Sequence, residues 1–243
     1  MKCIILGAGY ATRLYPLTRN RPKPLLPVGG IPILQRILDR VFEAPGLELI
    51  YVVSNHRFVA HYYNWLREMG SPKVPIEIYD DLTAGEEDRL GAVGDIQFVI
   101  EHAKIAEDLL VVAGDNLFEF SLGRFVGTAS GHPVTIGLKD LGSREKVSLY
   151  GAVTMGADGR VEEFEEKPPR PETTLISIGV YHFAADRLDW VKRFLTQSGR
   201  RDQPGHLIQW LIGQVPVYGH VVEGEWFDIG DIDSYNRANE TYS

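Results

Sequence analysis
Cys3-Ile4-Ile5-Leu6-Gly7-Ala8-Gly9-Tyr10-Ala11-Thr12-Arg13-Leu14, followed by Pro16-Leu17-Thr18 and Pro22-Lys23-Pro24-Leu25-Leu26-Pro27-Val28, is the stretch on which the rest of the chain depends. Four apolar residues in a row, Cys3 to Leu6, read as a buried strand. The glycines behind them lack a Cβ and let backbone come close to a ligand. Successive N–H groups in such a loop form a concave anion site. Lys2, Arg13, Arg19, Arg21, Lys23 and Arg36 all precede Asp39, the first acid. The whole chain carries a formal charge of −8, so this positive opening runs against the trend. A strand running into a positive glycine loop is a place to hold polyphosphate.

Two common phosphate loops do not fit. A dinucleotide fingerprint, G-x-G-x-x-G, needs glycine where Thr12 stands, and an acid about 20 residues further on. The G-K-S/T triplet of a P-loop is also absent. Downstream, residues 31–42 have apolar side chains at 33, 34, 37, 38, 41 and 42, the spacing of a helix face, with Pro32 in its first turn. Residues 49–53 read as a strand, 58–69 as a helix and 76–79 as a strand. This β-α-β-α-β run predicts a doubly wound sheet. Leu90-Gly91-Ala92-Val93-Gly94-Asp95 leads into a helix through Phe98, Val99 and His102. Residues 109–113 are all apolar and read as a central parallel strand ending at Gly114-Asp115-Asn116. From about residue 122 the texture changes to strands and turns, at 134–138, 150–154, 161–164 and 178–183. Asp158-Gly159 marks a hairpin turn. Helices near 186–196 and 206–212, a strand at 215–222 and a closing helix at 232–240 complete the reading. No linker or repeat divides the chain.

With 243 residues and 44% hydrophobic content, the chain suits one large α/β domain. Its acidic balance argues against general nucleic-acid or anionic-membrane binding. No apolar run approaches the roughly 18 residues of a membrane span, and no signal-peptide pattern is visible. The single cysteine, Cys3, can form no internal disulfide, which suits a reducing cytoplasm. His56, His61 and His102 lack metal-ligand spacing.

The opening stretch resembles the signature of sugar-1-phosphate nucleotidyltransferases, G-x-G-T-R-L…P-x-T…P-K-x-L-L-P-V, with Ala11 in place of its last loop glycine. Further matches follow in order: Leu90-Gly91-Ala92-Val93-Gly94 to L-G-T-A-G, Gly114-Asp115-Asn116-Leu117-Phe118 to G-D-N-x-F, and Tyr150-Gly151 to Y-G. Glu165-Glu166-Lys167-Pro168 is similar to E-E-K-P, Ser177-Ile178-Gly179-Val180-Tyr181 to x-x-G-x-Y, and Trp226-Phe227-Asp228-Ile229-Gly230 to W-x-D-x-G. The resemblance implies a Rossmann-like mixed, mostly parallel sheet with helices on both faces and an inserted sugar-binding β-rich part. Residues 1–243 would form a single domain, about 1–122 for the nucleotide and about 123–243 for the sugar and the closing helix.

The implied reaction joins an NTP and a sugar 1-phosphate with Mg²⁺ and releases pyrophosphate, with dTTP or UTP and glucose 1-phosphate as the favoured pair. The resemblance gives the chemistry to Arg13, Lys23 and Asp115. It gives the nucleotide to Gly7, Ala8, Gly9, Tyr10, Ala11, Thr12, Arg13 and Gly91. The sugar phosphate falls to Asn116, Tyr150, Gly151, Glu166, Lys167 and Ser177, and the metal to Asp115 and Asp228. A guanidinium forks onto phosphate oxygens, which supports Arg13. A carboxylate at a strand end is a hard Mg²⁺ ligand, which supports Asp115. Arg19 and Arg21 are less specific. Two alternatives stand beside this reading. One is nucleotidyl transfer to a non-sugar phosphate, such as phosphocholine or an inositol phosphate. The other is an inactive nucleotide-sugar sensor, which would be expected to have lost Arg13, Lys23, Asp115 or Asp228. No nucleic-acid or membrane partner is expected, a homo-oligomer stays open, and no appended β-helix domain is expected after the closing helix.

Overall fold
A computed structural model describes all 243 residues. In chain order the strands are β1 (Lys2–Leu6), β2 (Pro27–Val28), β3 (Ile31–Pro32), β4 (Leu49–Ser54), β5 (Ile76–Asp80), β6 (Leu109–Ala113), β7 (Asn116–Phe118), β8 (Val134–Asp140), β9 (Gly151–Met155), β10 (Val161–Glu166), β11 (Leu175–Phe183), β12 (Val217–Val221) and β13 (Trp226–Asp228). The helices are α1 (Ile33–Val41), α2 (Val59–Met69), α3 (Ala92–His102), α4 (Leu122–Ala129), α5 (Asp189–Ser198), α6 (Pro204–Ile212) and α7 (Ile232–Thr241). None is long and apolar enough to cross a membrane.

Nine strands form one mixed sheet, in the order β10-β9-β11-β6-β1-β4-β5, with β8 also on β11 and β12 on β8. β5, β4, β1 and β6 run parallel, and β11 lies antiparallel against β6. Alternation along β1 sends Cys3 and Ile5 to one face and Ile4 to the other. Cys3 and Ile5 join a core with Ile33 and Ile37 of α1 and Tyr62 of α2. Ile4 joins a second core with Ile96 of α3, Phe194 of α5 and Ile208 of α6. Helices therefore cover both faces, as a buried parallel strand requires. β11 carries a register shift between Ser177 and Tyr181. Gly179 sits in it at φ +69°, where a Cβ would stand 2.8 Å from Ala113 Cβ. That bulge carries the strand from β9, which it meets at Ile176, to β6, which it joins from Val180.

Two expectations need correction. Residues 31 and 32 are strand, not helix: β2 and β3 pair around Gly29 and Gly30, both at positive φ, and α1 starts only at Ile33. Positive φ at both central residues is what a tight hairpin turn demands. Residues 122–129 form a helix where strands and turns were expected. Its signal was present, with Ser121 as cap and apolar residues at 122, 125, 126 and 129, but Gly123 and Gly127 obscured it. Gly123 is there for space, since a Cβ would stand 2.9 Å from Glu43 O just beyond α1.

Candidate functional site
β1 and β6 end side by side, and a glycine follows each. Gly114 N donates to Leu6 O at 2.9 Å, and a Cβ on Gly114 would collide with that carbonyl. The opening loop is pinned from beneath by buried side chains. Tyr62 OH donates to Gly7 O at 3.0 Å, and Asn55 Nδ2 donates to Ala8 O at 2.7 Å. Ala11 adopts φ +48°, the left-handed conformation glycine takes without cost. Its carbonyl accepts from Thr18 Oγ1 at 2.8 Å, which explains the buried threonine of the opening stretch. A cavity of about 460 Å³ opens above this loop. Gly7, Ala8, Gly9, Tyr10, Ala11, Arg13 and Gly91 line it, together with Lys23 and Asp115. Thr12 does not line it and is exposed at the start of a 3₁₀ turn.

Lys23 is only 8% exposed, and its Nζ donates to Asp115 Oδ2 at 2.8 Å. Asn116 Nδ2 donates to Asp115 Oδ1 at 2.8 Å, and Trp226 Nε1 donates to Asn116 Oδ1 at 2.7 Å. Asn116 is thus buried and occupied in orienting Asp115; it lines neither cavity of the site. The short β7–β13 ladder pairs Asn116 with Asp228 and so brings the second carboxylate to the first. Burial, and then the charge of Asp115, push the Asp228 carboxyl up to about 6 against the pull of Lys23 and Arg13. Burial also opposes ionisation of Asp115, but the Lys23 charge and hydrogen bond outweigh it and hold that carboxyl below its usual value. Arg13 reaches over Gly230, where a Cβ would lie 3.9 Å from both terminal guanidinium nitrogens and 3.5 Å from Asp228 Oδ2. No group of three or more His, Cys, Asp or Glu residues is arranged to hold a metal ion by itself. Two hard carboxylates that leave the remaining positions to phosphate and water suit Mg²⁺.

A second cavity, of about 870 Å³, lies on the β9–β10 side. Tyr150, Gly151, Glu166, Lys167 and Ser177 line it, as does Asp228. Lys167 takes φ +52°, unusual for a side-chain-bearing residue, and its N donates to Tyr150 O at 2.9 Å. Lys167 Nζ lies 3.8 Å from Glu166 Oε1. Gly151 leaves space for the Phe164 ring. Arg13, Tyr181, Asp202 and Pro204 line both cavities, so the two adjoin there. Arg19 and Arg21 are exposed and line neither.

Sequence reasoning missed three groups. The Lys23–Asp115 pair spans 92 residues, and nothing local announces it. Asp202 lies between the two helices expected near 186–196 and 206–212, and it lines both cavities and is gripped by Arg89 at 3.1 and 3.0 Å. Asp81 and Asp95 also line the first cavity. For Asp95 a signal existed, an acid on the same helix as buried Val93, Ile96, Val99 and Ile100.

Fold and site together define a mixed α/β protein whose two cavities meet at a cluster of two carboxylates and two cations. Residues 2–243 match the nucleotidyl transferase family model, and the chain belongs to that family. The bifunctional protein GlmU of Methanocaldococcus jannaschii is 30% identical over 233 residues, 95% of this chain and 51% of that protein. UTP–glucose-1-phosphate uridylyltransferase of Synechocystis sp. is 29% identical over 249 residues, 98% of this chain and 62% of that protein. The chain therefore spans about half the length of the GlmU relatives it matches. Among solved structures, UDP-glucose pyrophosphorylase shares the fold, with a TM-score of 0.82 at 18% identity over 99% of this chain and 97% of that one. Its complex with UDP-glucose gives 0.80 at 19% identity, with the same coverage.

Proposed function
We propose that this chain is a sugar-1-phosphate nucleotidyltransferase. A sugar 1-phosphate oxygen attacks the α-phosphorus of a nucleoside triphosphate, the bond to the bridging oxygen breaks, and pyrophosphate leaves. The observation that carries this reading is the junction of the two cavities at Arg13, with Lys23, Asp115 and Asp228 around it and Lys167 on the far side. Family membership supports the same reaction class.

In-line attack brings two anions together, so catalysis rests on positioning and charge neutralisation. The backbone of Gly7 to Ala11 cradles the triphosphate, and the Arg13 guanidinium forks onto it. Lys23 pairs with Asp115, and a triphosphate in this cavity would compete for its ammonium. Asp115 and Asp228 would hold Mg²⁺, which supplies neutralisation of the triphosphate charge. Lys167 holds the sugar phosphate from the β10 end, and Glu166 faces the sugar hydroxyls. Residues of about 1–122 serve the nucleotide and about 123–243 the sugar phosphate. The buried thiol of Cys3 suits a reducing cytoplasm. The resemblance makes dTTP or UTP with glucose 1-phosphate the first pair to assay.

The test is a matrix of ATP, GTP, CTP, UTP and dTTP against a panel of sugar 1-phosphates, read by pyrophosphate release. At least one pair should release pyrophosphate only when both substrates and Mg²⁺ are present. Silence across the matrix, or release without sugar phosphate, contradicts the proposal.

A further inference from the structure
Two glycines and one phenylalanine build part of the second cavity's wall. Phe164 and Glu166 lie two residues apart on β10, so their side chains leave the same face of the strand. The start of α6 packs against both. A Cβ on Gly205 would collide with Glu166 Oε2 and would stand 2.9 and 3.0 Å from Cε1 and Cζ of the Phe164 ring. A Cβ on Gly151 would collide with the same edge of that ring. All four residues line the cavity. The backbone does not demand glycine at 205, since its φ lies outside the left-handed region. It occupies the second position of α6, behind Pro204. A helix gains nothing from glycine, which is about 1 kcal/mol worse than alanine in a helix interior. What the missing side chain supplies is space, and Glu166 occupies it.

The Glu166 side chain is only 13% exposed, and Lys167 Nζ stands 3.8 Å from its Oε1, beyond hydrogen-bond reach. Packing therefore fixes where the carboxylate sits, with Gly205 against Oε2 and the Phe164 ring held between Gly151 and Gly205. Resting on the transfer reading, in which Glu166 faces the sugar hydroxyls, we propose that Gly205 is a positioning residue for the acceptor. By carrying no side chain it seats the Glu166 carboxylate against α6, and that seat decides which sugar hydroxyl the carboxylate receives. An ionised carboxylate only accepts, and a sugar presents hydroxyl donors around its ring. A methyl added at Gly205 would take the place of Oε2 and turn the carboxylate away. The chain yields easily there, because the carboxylate is the far end of a flexible side chain. The hydrogen bond to the sugar does not, since it weakens steeply with distance and angle. A site built to hydrogen-bond one hydroxyl rejects the sugar that lacks it, so moving the carboxylate also removes discrimination among acceptors.

The experiment compares Gly205→Ala with the wild type, using the substrate pair found active and the monodeoxy analogues of its sugar 1-phosphate. Gly205→Ala should raise the sugar-phosphate KM about 10-fold, the cost of one charge-assisted hydrogen bond, with the NTP KM little altered. The wild type should penalise most the analogue lacking the hydroxyl that Glu166 receives, and in Gly205→Ala that penalty should vanish. Added to Glu166→Ala, the same change should cost nothing further, since no carboxylate is left to displace. A full loss in the Glu166→Ala background overturns the inference, and so does a deoxy penalty that Gly205→Ala leaves intact. Phe164→Leu removes the two ring atoms that a Cβ on Gly205 would meet, so Gly205→Ala in that background confronts the carboxylate alone. The pattern should persist there, even if Gly205→Ala by itself fails to fold; its disappearance would reduce Gly205 to packing for the ring. A crystal structure of Gly205→Ala, or of the Phe164→Leu double variant, should show the carboxylate moved by about 1 Å or more. An unmoved carboxylate overturns the inference whatever the kinetics show. If the wild type turns over no sugar phosphate, the transfer reading falls, and that crystal structure alone decides whether Gly205 seats Glu166.

Discussion
Gly7, Ala8 and Gly9 line the first cavity on a loop held from beneath by Tyr62 and Asn55. Glu166 and Lys167 line the second cavity at the end of β10, with no comparable buried anchor beyond the Lys167 amide bond to Tyr150 O. The first wall follows from a parallel strand end, where sterics leave few choices. The second can change its ligand by changing side chains, without disturbing the sheet. A backbone-walled site should lose function in large steps when its few charged groups are altered. A side-chain-walled site should lose affinity for one substrate at a time.

The largest effect should come from the carboxylates where the two regions meet. Asp115→Asn and Asp228→Asn should each lower Mg²⁺-dependent pyrophosphate release by on the order of 10³-fold, with the melting transition preserved. Wild-type activity at limiting Mg²⁺ in either variant would remove the metal assignment. Next comes Arg13→Lys, which keeps the charge and loses the fork. Turnover should fall by about 10²-fold, whereas a change confined to the sugar-phosphate KM would move Arg13 to the other wall. Lys167→Ala sharpens the contrast. Steady-state kinetics should show the sugar-phosphate KM raised about 10-fold, the cost of one charge-assisted hydrogen bond, with the NTP KM little altered.

Smaller effects concern stability. The Asp95 carboxyl rises from an ordinary 3.8 to about 8 on folding. An acid that binds its proton more tightly when folded loses stability as pH climbs from the lower value to the higher. Thermal melts should therefore show Asp95→Asn gaining on the wild type from pH 4 to pH 8.5; a gap independent of pH would contradict the buried proton. Smallest is Ala11→Gly. It relieves a left-handed alanine, a strain of about 1 kcal/mol, and denaturant midpoints should show a gain no larger than that.

Most of the wall of the first cavity was legible because it is local in sequence. Strand, glycine loop and Arg13 occupy one stretch, and the apolar run from Cys3 to Leu6 already reads as a buried strand. The residues of the second cavity were singled out only through resemblance, since Glu165-Glu166-Lys167 alone has the composition of a solvated hairpin. Contacts closed across long separations left no trace: Lys23 on Asp115, Arg89 on Asp202, and the Asn116–Trp226 bond, which removes Asn116 from the cavity. α4 was hidden by its two glycines, of which Gly123 is there for close packing, and the nearness of Asp81 and Asp95 depends on a helix returning its first turn to the end of β5.

The central claim is that both cavities serve one phosphorus atom, and isotope transfer tests it most directly. A single-turnover experiment with an α-³²P-labelled NTP, Mg²⁺ and the sugar 1-phosphate found active should place the label in a nucleotide sugar, one for one with pyrophosphate. The same experiment with Asp228→Asn should leave the label in the NTP. Label released as free nucleoside monophosphate, or pyrophosphate formed without labelled sugar product, would show that the two cavities do not meet in a common reaction.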